Sequence, residues 1–385
     1  MKNVVAFSGG RASETFLKAW NSKRPFNLDL LVNPYDDGLS TGRIRDFIPG
    51  FLGPSDFRKN LVHYLYSSGN IADTFFARKL EQRINTLNET KTLFNSDISA
   101  PFLGSFEGQT ETLVKAIKKF ELYEKNSLTP FNYADCALGN IVLAGLYLEN
   151  GFDFQRAVSE LINIFKAEFG LFTVSNQNDI SLVAITSNRE FLAREHLIVN
   201  GLYTGAVIHL GFIATSKLLD NDFFYSGIRT EADLSEIDRF FVQPMVCLEA
   251  AGKLHNADLV CYLPGTQNSS LFPSYRILKK EIQSSNALTK VLVMNLTRDH
   301  DMSNWRRSDI LINALFHLGD PNNSKKSVTH VLLNRPSHDA SLLDGPIREV
   351  CENFEIELIA RQLANSSSPS FHSGEAIIET LKELI

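Results

Sequence analysis

The residues whose types and spacing could do chemistry are concentrated in segment 33–43, which reads Asn-Pro-Tyr-Asp-Asp-Gly-Leu-Ser-Thr-Gly-Arg. Adjacent carboxylates at a strand end can hold a hard divalent cation such as Mg²⁺ through oxygen. Glycines let the backbone approach a ligand closely, and backbone N–H groups, hydroxyls and arginine together suit phosphate. The segment therefore predicts a metal-plus-phosphate site. Its candidate residues are Asp36 and Asp37 for the metal, and Ser40, Thr41 and Arg43 for the phosphate.

A plain turn is the alternative interpretation of this segment, because Pro, Asp, Gly and Ser are common turn formers. Ser40 or Thr41 would then only cap a helix that begins near Arg43.

A second loop, at residues 8–13, reads Ser-Gly-Gly-Arg-Ala-Ser and precedes a predicted helix. A helix N-terminus after a glycine turn can bind an anion, so we list Gly9, Gly10 and Arg11 as candidate ligand contacts. The alternative there is a tight turn with Ser13 as the helix cap.

Two candidate positions belong to a long region with a helical pattern. Arg58 could reach a diphosphate, whereas the alternative makes Asp56 a helix cap and places Arg58 and Lys59 on a solvated face. Asn140 lies in a predicted helix that is apolar nearly all round. Because a buried amide without partners costs about 1–3 kcal/mol, Asn140 should bond either the protein or a ligand.

Polar residues also follow two later predicted strands. Segment 263–270 places backbone N–H groups and hydroxyls at a helix start, where they suit a phosphate or a ribose; a capped turn is the alternative. Segment 295–300 ends another strand and contains His300, for which we favour a structural role because no nucleophile lies nearby in sequence. The candidate ligand contacts in these two segments are Gly265, Thr266, Ser269 and Asn295.

The elements that must position these residues are strands and helices in alternation. Continuous apolar runs are typical of strands buried on both faces of a parallel sheet. Strand-turn-helix repetition predicts an α/β fold with a doubly wound, mostly parallel, Rossmann-like sheet. We expect one domain over residues 1–385, with a helical insertion at about 55–170 and a small mixed insertion at about 171–245. The predicted main-sheet strands are Val4–Phe7, Leu28–Val32, Leu259–Leu263, Val291–Asn295, Val328–Leu333 and Ile356–Ile359.

Composition excludes several classes of protein. The net charge of −6 argues against general nucleic-acid binding, which needs a basic surface. No apolar run approaches the roughly 20 residues that span a bilayer, and the first run is too short for a signal peptide. We therefore expect a cytoplasmic protein without a membrane partner. The four cysteines lack Cys-x-x-Cys spacing, so neither a disulfide framework nor a zinc site is predicted.

Taken in order, these motifs resemble the CofD/YvcK superfamily over most of residues 3–335. That superfamily includes 2-phospho-L-lactate transferases and YvcK-type regulators that bind nucleotide-sugars. Two departures stand out: Leu39 replaces a family glycine, and the first loop contains Arg11 where the family has Gly-Gly-Gly-Thr-Gly. The matching segments are Asp36-Asp37-Gly38-Leu39-Ser40-Thr41-Gly42-Arg43, Ser55-Asp56-Phe57-Arg58-Lys59, Leu138-Gly139-Asn140 and Pro264-Gly265-Thr266-Gln267-Asn268-Ser269-Ser270.

The resemblance implies a nucleoside-diphosphate conjugate or a nucleotide-sugar as ligand, with Mg²⁺ bridging the diphosphate. One expectation is metal-dependent transfer of a phospho-linked small acid to a hydroxyl acceptor, with Asp37, Asp56 and Arg58 as the catalytic residues. The other expectation is a non-catalytic regulator of carbon metabolism or cell-wall synthesis that binds a nucleotide-sugar in the same pocket. The resemblance does not decide between the transferase and the regulator. It also leaves open whether the protein forms a homodimer.

Overall fold

A seven-stranded, fully parallel β-sheet forms the centre of the computed structural model, which describes residues 1–86, 89, 107–219, 230–297, 302, 305–335, 345–366 and 368–385. The α/β fold class and the parallel sheet predicted from the sequence are confirmed. In chain order, the strands of the described residues are β1 (Asn3–Ser8), β2 (Asn27–Val32), β3 (Arg83–Ile84), β4 (Cys136–Ala137), β5 (Gly170–Thr173), β6 (Ile180–Thr186), β7 (Phe191–Leu192), β8 (Val207–Ala214), β9 (Leu259–Tyr262), β10 (Thr289–Val293), β11 (His330–Asn334) and β12 (Glu357–Arg361).

The order of the main sheet is β12-β11-β10-β9-β1-β2-β5, so β1 lies between β9 and β2. The chain builds outward from β1 to β2 and β5, then returns to the other side of β1 and continues through β9, β10, β11 and β12. Strand order reverses between β1 and β9. Open α/β sheets bind ligands outside the carboxyl ends of the strands at such a switch point.

Burial explains why the main strands read as continuous apolar runs. Val4, Val5, Ala6 and Phe7 of β1 are all 0% exposed, as expected for a strand covered on both faces by helices. The helices of the described residues are Glu14–Lys23, Leu39–Phe47, Ser55–Ser67, Ile71–Glu81, Glu107–Lys125, Leu138–Glu149, Phe154–Ile164, Glu195–Val199, Thr215–Leu219, Glu231–Asp238, Leu248–His255, Phe272–Gln283, Arg307–His317, Gly345–Asn353 and Gly374–Leu384, with a π-helical turn at Gln267–Leu271.

The small insertion differs in one respect from the sequence-based expectation. The apolar run Leu171–Val174, which predicts a strand at the start of the mixed insertion expected at about 171–245, instead largely coincides with β5 (Gly170–Thr173), and β5 pairs in parallel with β2 of the main sheet. The insertion itself contains the antiparallel sheet β7-β6-β8. Its two ends meet, because the backbone N–H of Cys247 donates to the carbonyl oxygen of Val174 at 3.1 Å.

The helical region contains the predicted buried helix, here Leu138–Glu149, in which residues 138–148 are all buried. Gly151 follows it with a positive φ of 67°, and the Asp153 carboxylate accepts the Arg156 backbone N–H at 3.0 Å as the cap of the next helix.

The β3–β4 pair in this region was not predicted. Residues 87–88 and 90–106 of the predicted helical insertion, and His300, lie outside the described residues. No helix among those described is long and apolar enough to cross a membrane.

The contact between the helices Glu107–Lys125 and Leu138–Glu149 depends on Gly145, since a Cβ atom there would overlap the backbone of Ala116. Gly145→Ala should therefore lower the free energy of unfolding by about 1–3 kcal/mol through overpacking. Urea denaturation measures this. Gly252→Ala is the matched control, because no described atom lies within 4 Å of its Cβ position, and it should stabilise its helix by about 0.5–1 kcal/mol. Equal effects of the two substitutions would contradict the packing argument.

Candidate functional site

A cavity of about 520 Å³ opens at the carboxyl ends of β1, β2, β9 and β10. Its walls come from the loops that follow these four strands, at residues 9–12, 33–38, 264–270 and 295–297. The helix Glu195–Val199 of the small insertion and residues 370–372 supply further walls. The cavity therefore lies at the switch point of the sheet, where the predicted motifs were expected to meet.

The first loop of the cavity is held by the side-chain amide of Asn60, which is 0% exposed. Its oxygen accepts the hydroxyls of Ser8 at 3.2 Å and Ser13 at 2.7 Å. Its nitrogen donates to the carbonyl oxygens of Gly9 at 3.1 Å and Asp56 at 2.8 Å. Ser13 occupies the N-cap position of the helix that follows, as the alternative interpretation expected, but its side chain makes no capping hydrogen bond. Its hydroxyl is instead used within the loop.

Gly10 lies so close to the helix Ser55–Ser67 that a side chain there would displace the side chains of Asp56 and Lys59. A Cβ atom at Gly10 would overlap the Asp56 carboxylate and lie 2.5 Å from Cδ of Lys59. Asp56 and Lys59 form an ion pair, with Nζ at 2.8 Å from Oδ1, and the charge of Asp56 raises the pKa of Lys59. Asp56 is in the second position of its helix, after Pro54 at the cap position, so Asp56 does not cap it. Gly10, Asp56 and Lys59 all line the cavity, and so does the exposed Arg11.

The adjacent carboxylates Asp36 and Asp37 face different cavities. Asp36 lines the main cavity. Asp37 lines a second cavity of about 450 Å³, where its carboxylate lies 3.8 Å from Arg45 and 3.6 Å from Arg194. The pair expected to share a metal ion therefore does not converge on one space, and Asp36 shares the main cavity with Asp56 instead.

Burial raises the pKa of Asp36, and the charge of Asp56 raises it further. Burial also raises the pKa of Asp37, while Arg45 and Arg194 act in the opposite direction. No group of three or more His, Cys, Asp or Glu side chains able to hold a metal occurs among the described residues. Magnesium is commonly held by only one or two carboxylates together with substrate phosphates. Asp36 and Asp56 are therefore a donor set compatible with Mg²⁺ in the presence of a phosphate ligand.

The hydroxyl of Thr41 does not line the cavity but lies behind it. The helix begins at Leu39 after Gly38, so neither Ser40 nor Thr41 is its cap. The Thr41 hydroxyl lies 2.5 Å from the Ser55 hydroxyl and 3.4 Å from Oδ2 of Asp36, and Asn140 donates to Ser55 at 3.3 Å. This chain of hydrogen bonds connects Asn140 to the Asp36 carboxylate.

Arg43 and Arg58 also lie outside the cavity lining. Arg43 donates to the backbone carbonyl of Ala134. Arg58 is 4% exposed and packs on Gly139, where a Cβ atom would lie 2.7 Å from Cδ of Arg58. Burial lowers the pKa of Arg58. Within the described part of the chain, neither Nε of Arg58 nor Oδ1 of Asn140 has a hydrogen-bond partner.

The loop after β9 is held by Asn295, whose amide accepts the Gly265 N–H and donates to the Gly265 carbonyl, each at 2.9 Å. The side chain of Asn295 therefore holds the loop in place by bonding the backbone of Gly265. Asn33 anchors the next part by donating to the Ser269 carbonyl at 2.8 Å. Gly265, Thr266 and Ser269 all line the cavity.

Ser270 is a functional candidate that the sequence analysis did not single out. Its buried hydroxyl lines the cavity and has no hydrogen-bond partner among the described residues. A Cβ atom at Gly9 would lie 3.0 Å from it. The hydroxyl belongs to the π-helical turn Gln267–Leu271, and such turns occur frequently at functional sites.

Glu195 is the second residue that sequence reasoning missed. It is 6% exposed, lines both cavities and accepts the backbone N–H of Asp37 at 3.1 Å. Burial raises the pKa of Glu195 well above its ordinary range, and the neighbouring charge of Asp36 adds to this. Its sequence neighbours, Arg194 and His196, are polar, so no local pattern indicates that this carboxyl is buried.

Comparison with known proteins identifies relatives of the whole chain. A family model described as 2-phospho-L-lactate transferase CofD matches residues 4–367. A crystal structure of a UPF0052 family member from Bacillus halodurans matches with a TM-score of 0.68 at 16% identity, and a second Bacillus halodurans crystal structure matches with 0.66 at 17%. Each match covers 99% of this chain and 99% of the other, so these structures share the fold. No curated protein matches the chain.

Asn60→Ala should lower the free energy of unfolding by about 1–3 kcal/mol, because it removes the four hydrogen bonds of a buried amide and leaves the Ser8 and Ser13 hydroxyls only their bonds to the Gly9 and Gly10 carbonyls. Chemical denaturation measures the loss. Asn27→Ala serves as the control, since the exposed Asn27 amide donates to the exposed Asn3 side chain, and its loss should change stability by less than about 0.5 kcal/mol. A similar small loss for Asn60→Ala would show that Asn60 does not hold the loop.

Proposed function

The chain belongs to the 2-phospho-L-lactate transferase CofD family, and from this premise we propose that it binds a nucleoside-diphosphate conjugate in the main cavity. We further propose that it transfers a phospho-linked small acid from this conjugate to a hydroxyl acceptor. The observation that supports the proposal most strongly is that a glycine loop, the turn Gln267–Leu271 and the carboxylates Asp36 and Asp56 share one cavity. The volume of about 520 Å³ is in the usual range for small-molecule sites.

The cavity offers the phosphate groups three kinds of contact. Gly9 and Gly10 let phosphate oxygens approach the backbone, since neither residue has a side chain in the way. The unpartnered hydroxyl of Ser270 can donate a hydrogen bond. The exposed guanidinium of Arg11 lines the same space and can pair with phosphate oxygens.

Asp36 and Asp56 are the residues that would hold Mg²⁺. Their placement in one cavity fits this ion, because two carboxylates and the phosphates of a ligand complete a common magnesium coordination. A bound Mg²⁺ ion would neutralise the negative charge of the phosphates and polarise the phosphoryl oxygens. Asp37, which faces Arg45 and Arg194, is assigned the supporting role of orienting the segment between the two cavities.

Glu195 is the residue that we assign to proton transfer. The acceptor hydroxyl would lose its proton to the Glu195 carboxylate while its oxygen bonds to phosphorus and the bond from phosphorus to the departing nucleoside monophosphate breaks. Asp56 is less suited because it is paired with Lys59. A carboxyl whose pKa is raised toward the working pH is an effective general base, and burial acts on Glu195 in this direction.

A thermal-shift titration with GDP, UDP, ADP and CDP, with and without MgCl₂, tests binding. A ligand at about 100 times its Kd should stabilise the protein by roughly 2.7 kcal/mol. Asp36→Asn should lose the Mg²⁺-dependent part of the shift because it removes a metal ligand. Asp37→Asn, which changes the neighbouring carboxylate in the second cavity, should keep it.

The reverse pattern, with binding lost in Asp37→Asn and kept in Asp36→Asn, would restore the metal role of Asp37 expected from the sequence. No shift with any nucleotide in either condition would overturn the proposed ligand class. Binding without release of nucleoside monophosphate, across a panel of hydroxyl acceptors, would overturn the transferase and would instead fit a nucleotide-binding regulator.

Glu195→Gln should keep nucleotide binding but lower turnover by about 10²–10⁴-fold, the usual contribution of general acid–base catalysis. In the wild type, turnover should rise with pH as Glu195 ionises, and the variant should lack this rise. The assay measures nucleoside monophosphate release against pH. Unchanged turnover in Glu195→Gln would remove Glu195 from the mechanism.

Stability gives a readout of the same residue that needs no substrate. The pKa of Glu195 is raised in the folded state, so between its unfolded and folded pKa values the folded state binds more protons. The wild type should therefore lose stability as pH rises through this interval. Glu195→Gln should show a smaller loss than the wild type, because the contributions of other carboxyls whose pKa values burial also raises, such as Asp36 and Asp37, remain. Melting curves across pH measure the difference.

A further inference from the structure

We propose that Lys59 competes with the divalent cation for Asp56 and gives this cavity a second, metal-free way of binding the diphosphate. The assignment of the anion as a nucleoside diphosphate rests on the proposed function. The competition itself rests on the geometry of the helix Ser55–Ser67 and its approach to the first loop.

The ammonium group of Lys59 lies directly on a carboxylate oxygen that faces the cavity. Its Nζ atom is 2.8 Å from Oδ1 of Asp56, and the Lys59 side chain is 33% exposed against 15% for Asp56. Both residues line the cavity. Because they are three residues apart on one helix, the pair forms without any ligand.

The stem of Lys59 occupies space that a side chain at position 10 would otherwise take. A Cβ atom at Gly10 would lie 2.5 Å from Cδ of Lys59 and would overlap the Asp56 carboxylate. Asn60 fixes this approach through its hydrogen bonds to Gly9 and Asp56. The lysine is therefore held over the glycine loop, which is the part of the cavity suited to phosphate.

A divalent cation held by Asp56 would compete with the Lys59 ammonium for the charge of this carboxylate, most directly at Oδ1, where the ammonium already lies. Magnesium requires an oxygen at about 2.0–2.1 Å, and two cations on the same oxygen repel each other. Lysine has a flexible stem and three donors that can be redirected. When displaced from Asp56, or when no metal is present, its ammonium can donate to a phosphate oxygen above the Gly10 loop.

The first experiment titrates the full chain with Mn²⁺, as a spectroscopic substitute for Mg²⁺, and follows the free ion by electron paramagnetic resonance. Lys59→Gln should bind Mn²⁺ about tenfold more tightly because the competing cation is gone, whereas Lys59→Arg should stay close to the wild type. Lys2→Gln is the matched control, since Lys2 forms an exposed ion pair with Asp258 at 3.0 Å. Melting curves verify that the variants are folded.

Mn²⁺ binding in Lys59→Gln that is no tighter than in the wild type, or no Mn²⁺ binding by either protein, would overturn the competition. The second experiment measures GDP, UDP and ADP binding by calorimetry in EDTA. Lys59→Gln should bind the preferred nucleotide about tenfold more weakly than the wild type, while Lys59→Arg should keep most of the affinity. Equal affinities of wild type and Lys59→Gln in EDTA would overturn the metal-free mode.

The two experiments also separate this inference from the proposed function. If no nucleotide binds with or without Mg²⁺, the proposed function fails and the metal-free mode fails with it. The Mn²⁺ titration still decides whether Lys59 and the cation compete, because it contains no nucleotide.

Discussion

The side-chain amide of Asn60 is the interaction on which the geometry of the cavity depends. An amide can donate two hydrogens and accept through two lone pairs, and Asn60 uses all four possibilities on Ser8, Gly9, Ser13 and Asp56. These bonds fasten the loop after β1 to the helix Ser55–Ser67. The distance between the glycine loop and the Asp56–Lys59 pair is therefore set by one buried group.

The sheet and the insertion make different contributions to the cavity. The strands around β1 are buried on both faces, so polar chemistry is confined to the loops at their ends. There the fold brings together the carboxyl groups of Asp36, Asp56 and Glu195. Burial raises the pKa values of Asp36 and Glu195, which means that removal from water makes their charged forms costly. A cavity of this kind favours a ligand that arrives with a cation or that gives up a proton to one of these carboxylates.

The sheet could be predicted from the sequence because a strand buried on both faces, such as Val4–Phe7, leaves a continuous apolar run. Strand pairing leaves no local pattern, so the run Leu171–Val174 was predicted but its pairing with β2 was not. Adjacent residues outside a strand need not point the same way, which is why Asp36 and Asp37 face different cavities. The helix Glu195–Val199 packs on both the turn Gln267–Leu271 and β6, which are distant in sequence, and no pattern near residue 195 contains the information that Glu195 is buried.

The small insertion leaves the sheet at Val174 and returns at Cys247, and the two residues are joined by a backbone hydrogen bond. It nevertheless supplies one wall of the cavity, through Glu195 and His196. Because both ends are at one place, this segment can be exchanged during evolution, or replaced by a designed loop, without altering the order of the main strands. The wall that this segment supplies can thus change while the loops after β1, β2, β9 and β10 keep their form.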